Sequence, residues 1–97
     1  MSEGLRYHAA LQAYQQIVAQ HPTHPYAMEA LWRVGRIASE RLHDLDQAEA
    51  AYRTLIAQFP EGKYRAQAEV KLRDIRRRQA RRRTATAPPA IGFRAVE

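Results

Sequence analysis

Six arginines fall within eight positions of one another, Arg76, Arg77, Arg78, Arg81, Arg82 and Arg83. Guanidinium groups at that density neutralise phosphates or another anionic surface, and such contacts weaken steeply with salt. No aromatic residue interrupts the run, so it offers no base stacking. Three readings stay open: contact with nucleic acid, contact with an acidic protein surface or lipid headgroups, and a solvated helix end whose positive charge suits the carbonyl terminus. Ile91, Phe93 and Val96 return apolar side chains after Pro88-Pro89, which suits either a short docking segment tethered by residues 84 to 90 or an unstructured end. His21 and His24 have a spacing that invites zinc, but the chain has no Cys, and both flank turn prolines. A plain turn is the expectation, with no metal site and no cofactor.

Catalytic chemistry finds little support. The only serines are Ser2 and Ser39, neither in a glycine-rich elbow, and Asp44 and Asp46 lie where helix capping accounts for them. There is no phosphate-cradling glycine loop and no implied small-molecule substrate, so no catalytic residue is assigned. Trp32 is the remaining candidate. It lies one position off an apolar stripe, and it is read either as interhelix packing or as a half-buried aromatic anchor for a partner.

These residues must be positioned by a small scaffold. The chain has 97 residues, 45% of them hydrophobic, which suits one domain built largely from Ala, Leu, Ile and Val. Residues 1 to 70 carry seven Lys/Arg against eight Asp/Glu, whereas residues 71 to 97 carry nine against two. A nearly neutral body with a basic extension follows. No apolar run approaches a membrane span, and the amino terminus lacks the basic and apolar regions of a secretion signal. As written, the chain is expected in the cytoplasm; as a fragment of something longer, it would belong in the periplasm.

A shift of 38 residues aligns the chain with itself, placing Ala10 on Ala48, Ala13 on Ala51, Tyr14 on Tyr52, Ala19 on Ala57, Gln20 on Gln58, Pro22 on Pro60, Tyr26 on Tyr64 and Ala30 on Ala68. Each copy reads as the same pair of helices. The first helix is expected over about residues 4 to 20, burying Ala10, Ala13, Tyr14, Ile17 and Val18. A second, over about 25 to 42, is capped by Thr23, admits Pro25 in its first turn and buries Ala27, Ala30, Leu31, Val34, Ile37 and Ala38. A third runs over about 45 to 58, capped by Asp44 or Asp46. It carries Ala48, Ala51, Tyr52, Leu55 and Ile56, with Phe59 continuing the stripe. A fourth starts near Lys63, carries Tyr64, Ala68, Leu72 and Ile75, and continues into the Arg run. The expected division is a helical domain over 1 to 83 and a Pro-containing linker and tail over 84 to 97.

This pattern resembles the tetratricopeptide repeat family. Leu31, Val34 and Gly35 match its large, leucine-like and small positions on one helix, and Ala48, Tyr52, Ile56 and Pro60 match its small, aromatic, aliphatic and proline positions on the next. The Phe59-Pro60 and Gly62-x-Tyr64 phrase is most similar to bacterial repeats of outer-membrane assembly and Tol-Pal-associated proteins. The spacing is 38 residues rather than about 34, and only residues 23 to 60 make a whole unit.

The resemblance implies an all-α array of about four antiparallel helices that works as a non-catalytic adaptor or assembly subunit. Its groove would present Met28, Trp32, Arg36, Arg65, Glu69 and Arg73 to a bound protein. Half-units at both ends call for another protein, a larger complex or self-association, with an uncovered first-helix surface near Leu5, Ala9 and Leu11.

Overall fold

The computed structural model describes residues 3–86. Four helices follow one another: α1 (Glu3–Gln20), α2 (Pro25–Arg36), α3 (Leu45–Gln58) and α4 (Arg65–Thr86), with a π-helical segment, Ile37–Arg41, continuing α2. Each helix packs on its neighbours in the chain, α1 on α2, α2 on α3 and α3 on α4. This all-α array of helical hairpins has the architecture expected of the duplicated pattern. Tail residues Ile91, Phe93 and Val96 lie outside the described residues.

Local chemistry sets the boundaries. Pro25 fixes the first helical φ and holds the preceding residue extended, so His24 (φ −75°, ψ 146°) caps α2, where Thr23 was expected. The Tyr26 N–H donates to His24 Nδ1 at 3.0 Å. Asp44 caps α3, accepting from the Gln47 N–H at 3.1 Å. Between them, His43 takes a left-handed φ of 55°, and the Asp44 N–H closes on the Ala38 carbonyl at 2.7 Å.

The end of the second helix is not a plain α-helix. Over Ile37–Arg41 the bonds widen to i→i+5, with the Leu42 N–H donating to the Ile37 carbonyl at 3.1 Å. Ser39 is turned inward there, and its hydroxyl donates to the Gly35 carbonyl at 2.9 Å. At the other end of the chain α4 passes its expected stop at Arg83 and reaches Thr86, while Tyr64 sits in the turn before it.

The core forms around α3. Leu31, Ala38, Leu45, Ala48, Tyr52, Leu55, Ala68, Leu72 and Ile75 make one buried cluster, and Leu11, Val34 and Ala51 make a second where α1 meets α2 and α3. Gly35 lets α2 close onto α3, since a Cβ there would stand 2.5 Å from two carbons of the Tyr52 ring. The ring is fully buried.

Two expectations for α1 are corrected. Leu11 is 3% exposed, because α1 lays Leu11, not Ala13, into the seam between Val34 and Ala51. Ala13 is exposed instead, as are Leu5 and Ala9, so Leu11 leaves the uncovered surface and the other two remain on it. Among the described residues no helix is long and apolar enough to cross a membrane.

Candidate functional site

A concavity of about 430 Å³ lined by aromatic and charged side chains lies against α2. Its floor comes from α2 and the π-helical segment, which turn Trp32, Arg33, Arg36, Ile37, Glu40 and Arg41 toward it. These positions recur at i, i+1, i+4, i+5, i+8 and i+9, one stripe of a helix. Its wall is Tyr7 and Tyr14 from α1, and Tyr64 closes one end.

Trp32 is held rigidly at that end. Its indole stacks on the Tyr64 ring at 4.6 Å with 7° between planes and meets Tyr52 at 5.7 Å. The Tyr64 hydroxyl donates to Glu29 at 3.0 Å, and Lys63 pairs with the same carboxylate at 3.0 Å. Lys63, then Tyr64, hold Glu29 below the usual carboxylate range, against the opposing cost of desolvation. Trp32 thus packs between helices, as the first of its two readings expects, and it also lines the hollow.

Charge in the hollow is unbalanced toward cations. Arg36 grips Glu40 through two nitrogens at 3.2 and 3.3 Å, and this contact lowers the Glu40 pKa and raises that of Arg36. Glu40 also faces Lys71 at 3.7 Å. Arg41 lies over the Tyr7 ring at 5.8 Å. Arg33 has no ion pair among the described residues. Three guanidinium groups thus line the hollow with one carboxylate, Glu40, which Arg36 alone of the three holds.

Of the six residues expected to face a partner, only Trp32 and Arg36 line this hollow. Met28 packs over the turn before α4, where its sulfur would stand 2.6 Å from a Cβ at Gly62. Arg65 pairs with Glu69 along α4 at 3.1 Å, and Arg73 is an exposed residue of the same helix. Sequence reasoning missed Tyr7, Arg33 and Arg41. The 38-residue shift held the clue, because it places Tyr7 on Leu45 and Arg33 on Lys71, residues that pack or pair between helices.

The Arg run divides. Arg76 pairs with Glu49 of α3 at 3.5 Å, and Arg77 and Arg78 pair with Asp74 at 3.8 and 2.9 Å. Gln79 joins them by donating to Asp46 at 2.9 Å and to Glu49 at 3.2 Å. Gln79 first, and Arg76 after desolvation, set the lowered pKa of Glu49. Arg82 and Arg83 line a shallow hollow with His43, Asp44 and Asp46, and Arg81 is exposed. A good part of the charge is answered by acidic groups of α3 and α4.

The family follows from these helices and their small-residue crossings. The tetratricopeptide repeat model matches residues 1–24 and 29–62, more than half of the chain, and the chain belongs to that family. Its repeats are in general protein–protein interaction modules and typically non-catalytic. No curated protein and no solved structure matches the chain.

Proposed function

We propose that this chain is a non-catalytic adaptor or assembly subunit that holds another protein against the hollow between α1 and α2. One observation carries the reading: Tyr7, Tyr14 and Trp32 stand half-covered beside Arg33, Arg36 and Arg41. Tyr, Trp and Arg are the side chains that dominate binding energy at interfaces. Within that reading, the Phe59-Pro60 and Gly62-x-Tyr64 phrase favours a role in cell-envelope assembly, as in the bacterial repeats it resembles. The rival reading gives the work to the end of α4 as a contact for nucleic acid or an acidic membrane surface. It has less support, because Arg76, Arg77 and Arg78 already have carboxylate partners.

Affinity capture from the source cell decides between them. It is run with nuclease and high salt on the native chain, on a Tyr14→Arg variant, and on one with the six arginines changed to Gln. A single protein retained by the native and six-Gln chains and lost by Tyr14→Arg is the expected result. Retention that vanishes with nuclease, with salt or in the six-Gln chain, yet survives Tyr14→Arg, refutes the adaptor reading.

A further inference from the structure

The 38-residue shift relates a covered surface to an uncovered one. α3 and α4 form a shelf on which α2 lies. Leu45, Tyr52 and Ile75 are buried there, and Gly35 of α2 meets the Tyr52 ring. Tyr64 takes Trp32 on its face and Glu29 on its hydroxyl, and Lys71 pairs with Glu40. Moving back 38 residues, α1 and α2 supply the same shelf, with Tyr7 for Leu45, Tyr14 for Tyr52, Ile37 for Ile75, Tyr26 for Tyr64 and Arg33 for Lys71. Among the described residues no helix lies on it. Tyr7, Tyr14 and Ile37 are half-buried at the hollow, and Tyr26, outside its lining, is 69% exposed with the exposed His24 ring tilted beside it at 4.6 Å, whereas its counterpart Tyr64 is stacked on Trp32 and hydrogen-bonded.

The geometry points to this hollow as a helix slot whose occupant is an amphipathic helix of another protein with an acid near each end, lying on α1 and α2 as α2 lies on α3 and α4. The inference rests on the adaptor reading and adds the chemistry of the partner. α2 is itself the template: Glu29, then an aromatic three residues on (Trp32), a glycine six on (Gly35) and an acid eleven on (Glu40). The matching helix would give an acid to the Tyr26 hydroxyl, an aromatic to the Tyr26 face, a small residue to the Tyr14 ring and an acid to Arg33. Charge agrees, because Arg33, Arg36 and Arg41 outnumber Glu40, which is already engaged by Arg36 and Lys71. Desolvated guanidinium–carboxylate pairs would then add both affinity and register.

A second copy of this chain does not fit the slot. Continuing the array head to tail would offer α4, which carries Gln67, Val70, Arg73 and Arg78 at the four template positions. Neither acid is present, the aromatic is missing, a long cation replaces the small residue against Tyr14, and Arg78 would face Arg33. Like charges at that contact oppose docking.

The test uses the full chain and a fluorescent synthetic peptide of residues 23–42, which carries the four template residues. Anisotropy is expected to show binding that weakens about tenfold or more in a Glu40→Lys peptide. An Arg33→Glu chain should reverse that preference, favouring the Lys peptide. Tyr26→Ala, also at an exposed position, should weaken binding without disturbing the fold, with helical circular dichroism confirming both variants. Amide shifts on binding should cluster at Tyr7, Tyr14 and Arg33.

Equal affinity for the two peptides, absence of binding by either, or shifts centred on Tyr52 and Leu72 from displacement of α2 would each overturn the slot. The two proposals fail separately. Loss of peptide binding with Tyr14-dependent capture intact removes the slot and leaves the adaptor, whereas capture indifferent to Tyr14 removes the adaptor.

Discussion

Gly35→Ala tests the contact on which the packing of α2 and α3 depends. In an exposed helix this change stabilises by about 1 kcal/mol, because alanine loses less backbone entropy than glycine. Here the new methyl carbon would stand 2.5 Å from two carbons of the Tyr52 ring and 2.9 Å from a third. Ordinary carbon contacts are about 3.5 to 4.0 Å, so the overlap is roughly 1 Å. The ring cannot yield easily, being fully buried and set against Trp32. Overpacking of this kind costs about 1 to 3 kcal/mol. With three ring atoms involved the upper end applies, and the net loss is about 1 to 2 kcal/mol, or roughly 10 °C in Tm for a chain of this size. In a Tyr52→Leu background the ring atoms are gone, and the same change should stabilise by about 0.5 to 1 kcal/mol. Urea melts of the four proteins, followed by helical circular dichroism, give the coupling, expected at about 2 kcal/mol. A Gly35→Ala protein more stable than the native chain, or a cycle additive to within about 0.5 kcal/mol, refutes the account.

Tyr52→Phe should leave stability unchanged or raise it by about 1 kcal/mol. The phenol has no hydrogen-bond partner among the described residues, burial pushes its pKa up to about 12, and Ser39, which offsets this in part, is committed to the Gly35 carbonyl. A loss above about 1 kcal/mol in the same melts would mean the hydroxyl is paired. Asp44→Ala should cost about 1 kcal/mol by removing the α3 cap, and Asp44→Ser should recover most of it. The pKa of Glu29 is lowered in the fold, so its contribution is present above the unfolded carboxylate value of 4.5 and lost as pH falls through the folded one. Glu29→Gln should flatten the acid side of a Tm-against-pH profile, by less than about 1 kcal/mol for so exposed a pair; an unchanged acid limb contradicts the assignment. His43→Gly should raise Tm by several degrees, since a left-handed residue other than glycine costs about 1 kcal/mol.

Much of the fold was legible because α3 carries strong, redundant signals. Its bounds, Leu45–Gln58, coincide with the periodic run, and its cap is one of the two aspartates that the pattern offered. α1 was harder to read. It is rich in alanine and glutamine, so hydrophobic contrast around its axis is weak and repeat equivalence had to choose its face. Ala48 and Ala51 are buried because α3 has neighbours on both sides, whereas their counterparts Ala10 and Ala13 lie on a terminal helix that, among the described residues, is covered on one side. Leu11 instead marks the face that is covered. The π-helical segment left no composition signal, since Ile37–Arg41 reads as ordinary helix.

The same edge effect explains the candidate site. Trp32 and Arg36 were legible because a large aromatic and a cation beside a buried stripe stand out on one helix. Tyr7 and Arg41 were not, because each gains meaning only when α1 and the end of α2 are placed side by side, with the Arg41 guanidinium over the Tyr7 ring. Repeat identity assigns a residue its contacts, and the ends of the array decide whether those contacts exist. At the α4 end the chain answers part of its surplus charge internally, through Glu49 and Asp74. At the α1 end Arg33 and Tyr26 occupy positions whose counterparts, Lys71 and Tyr64, have acidic partners in α2. That asymmetry is the reason the proposed helix slot is placed on the α1 side.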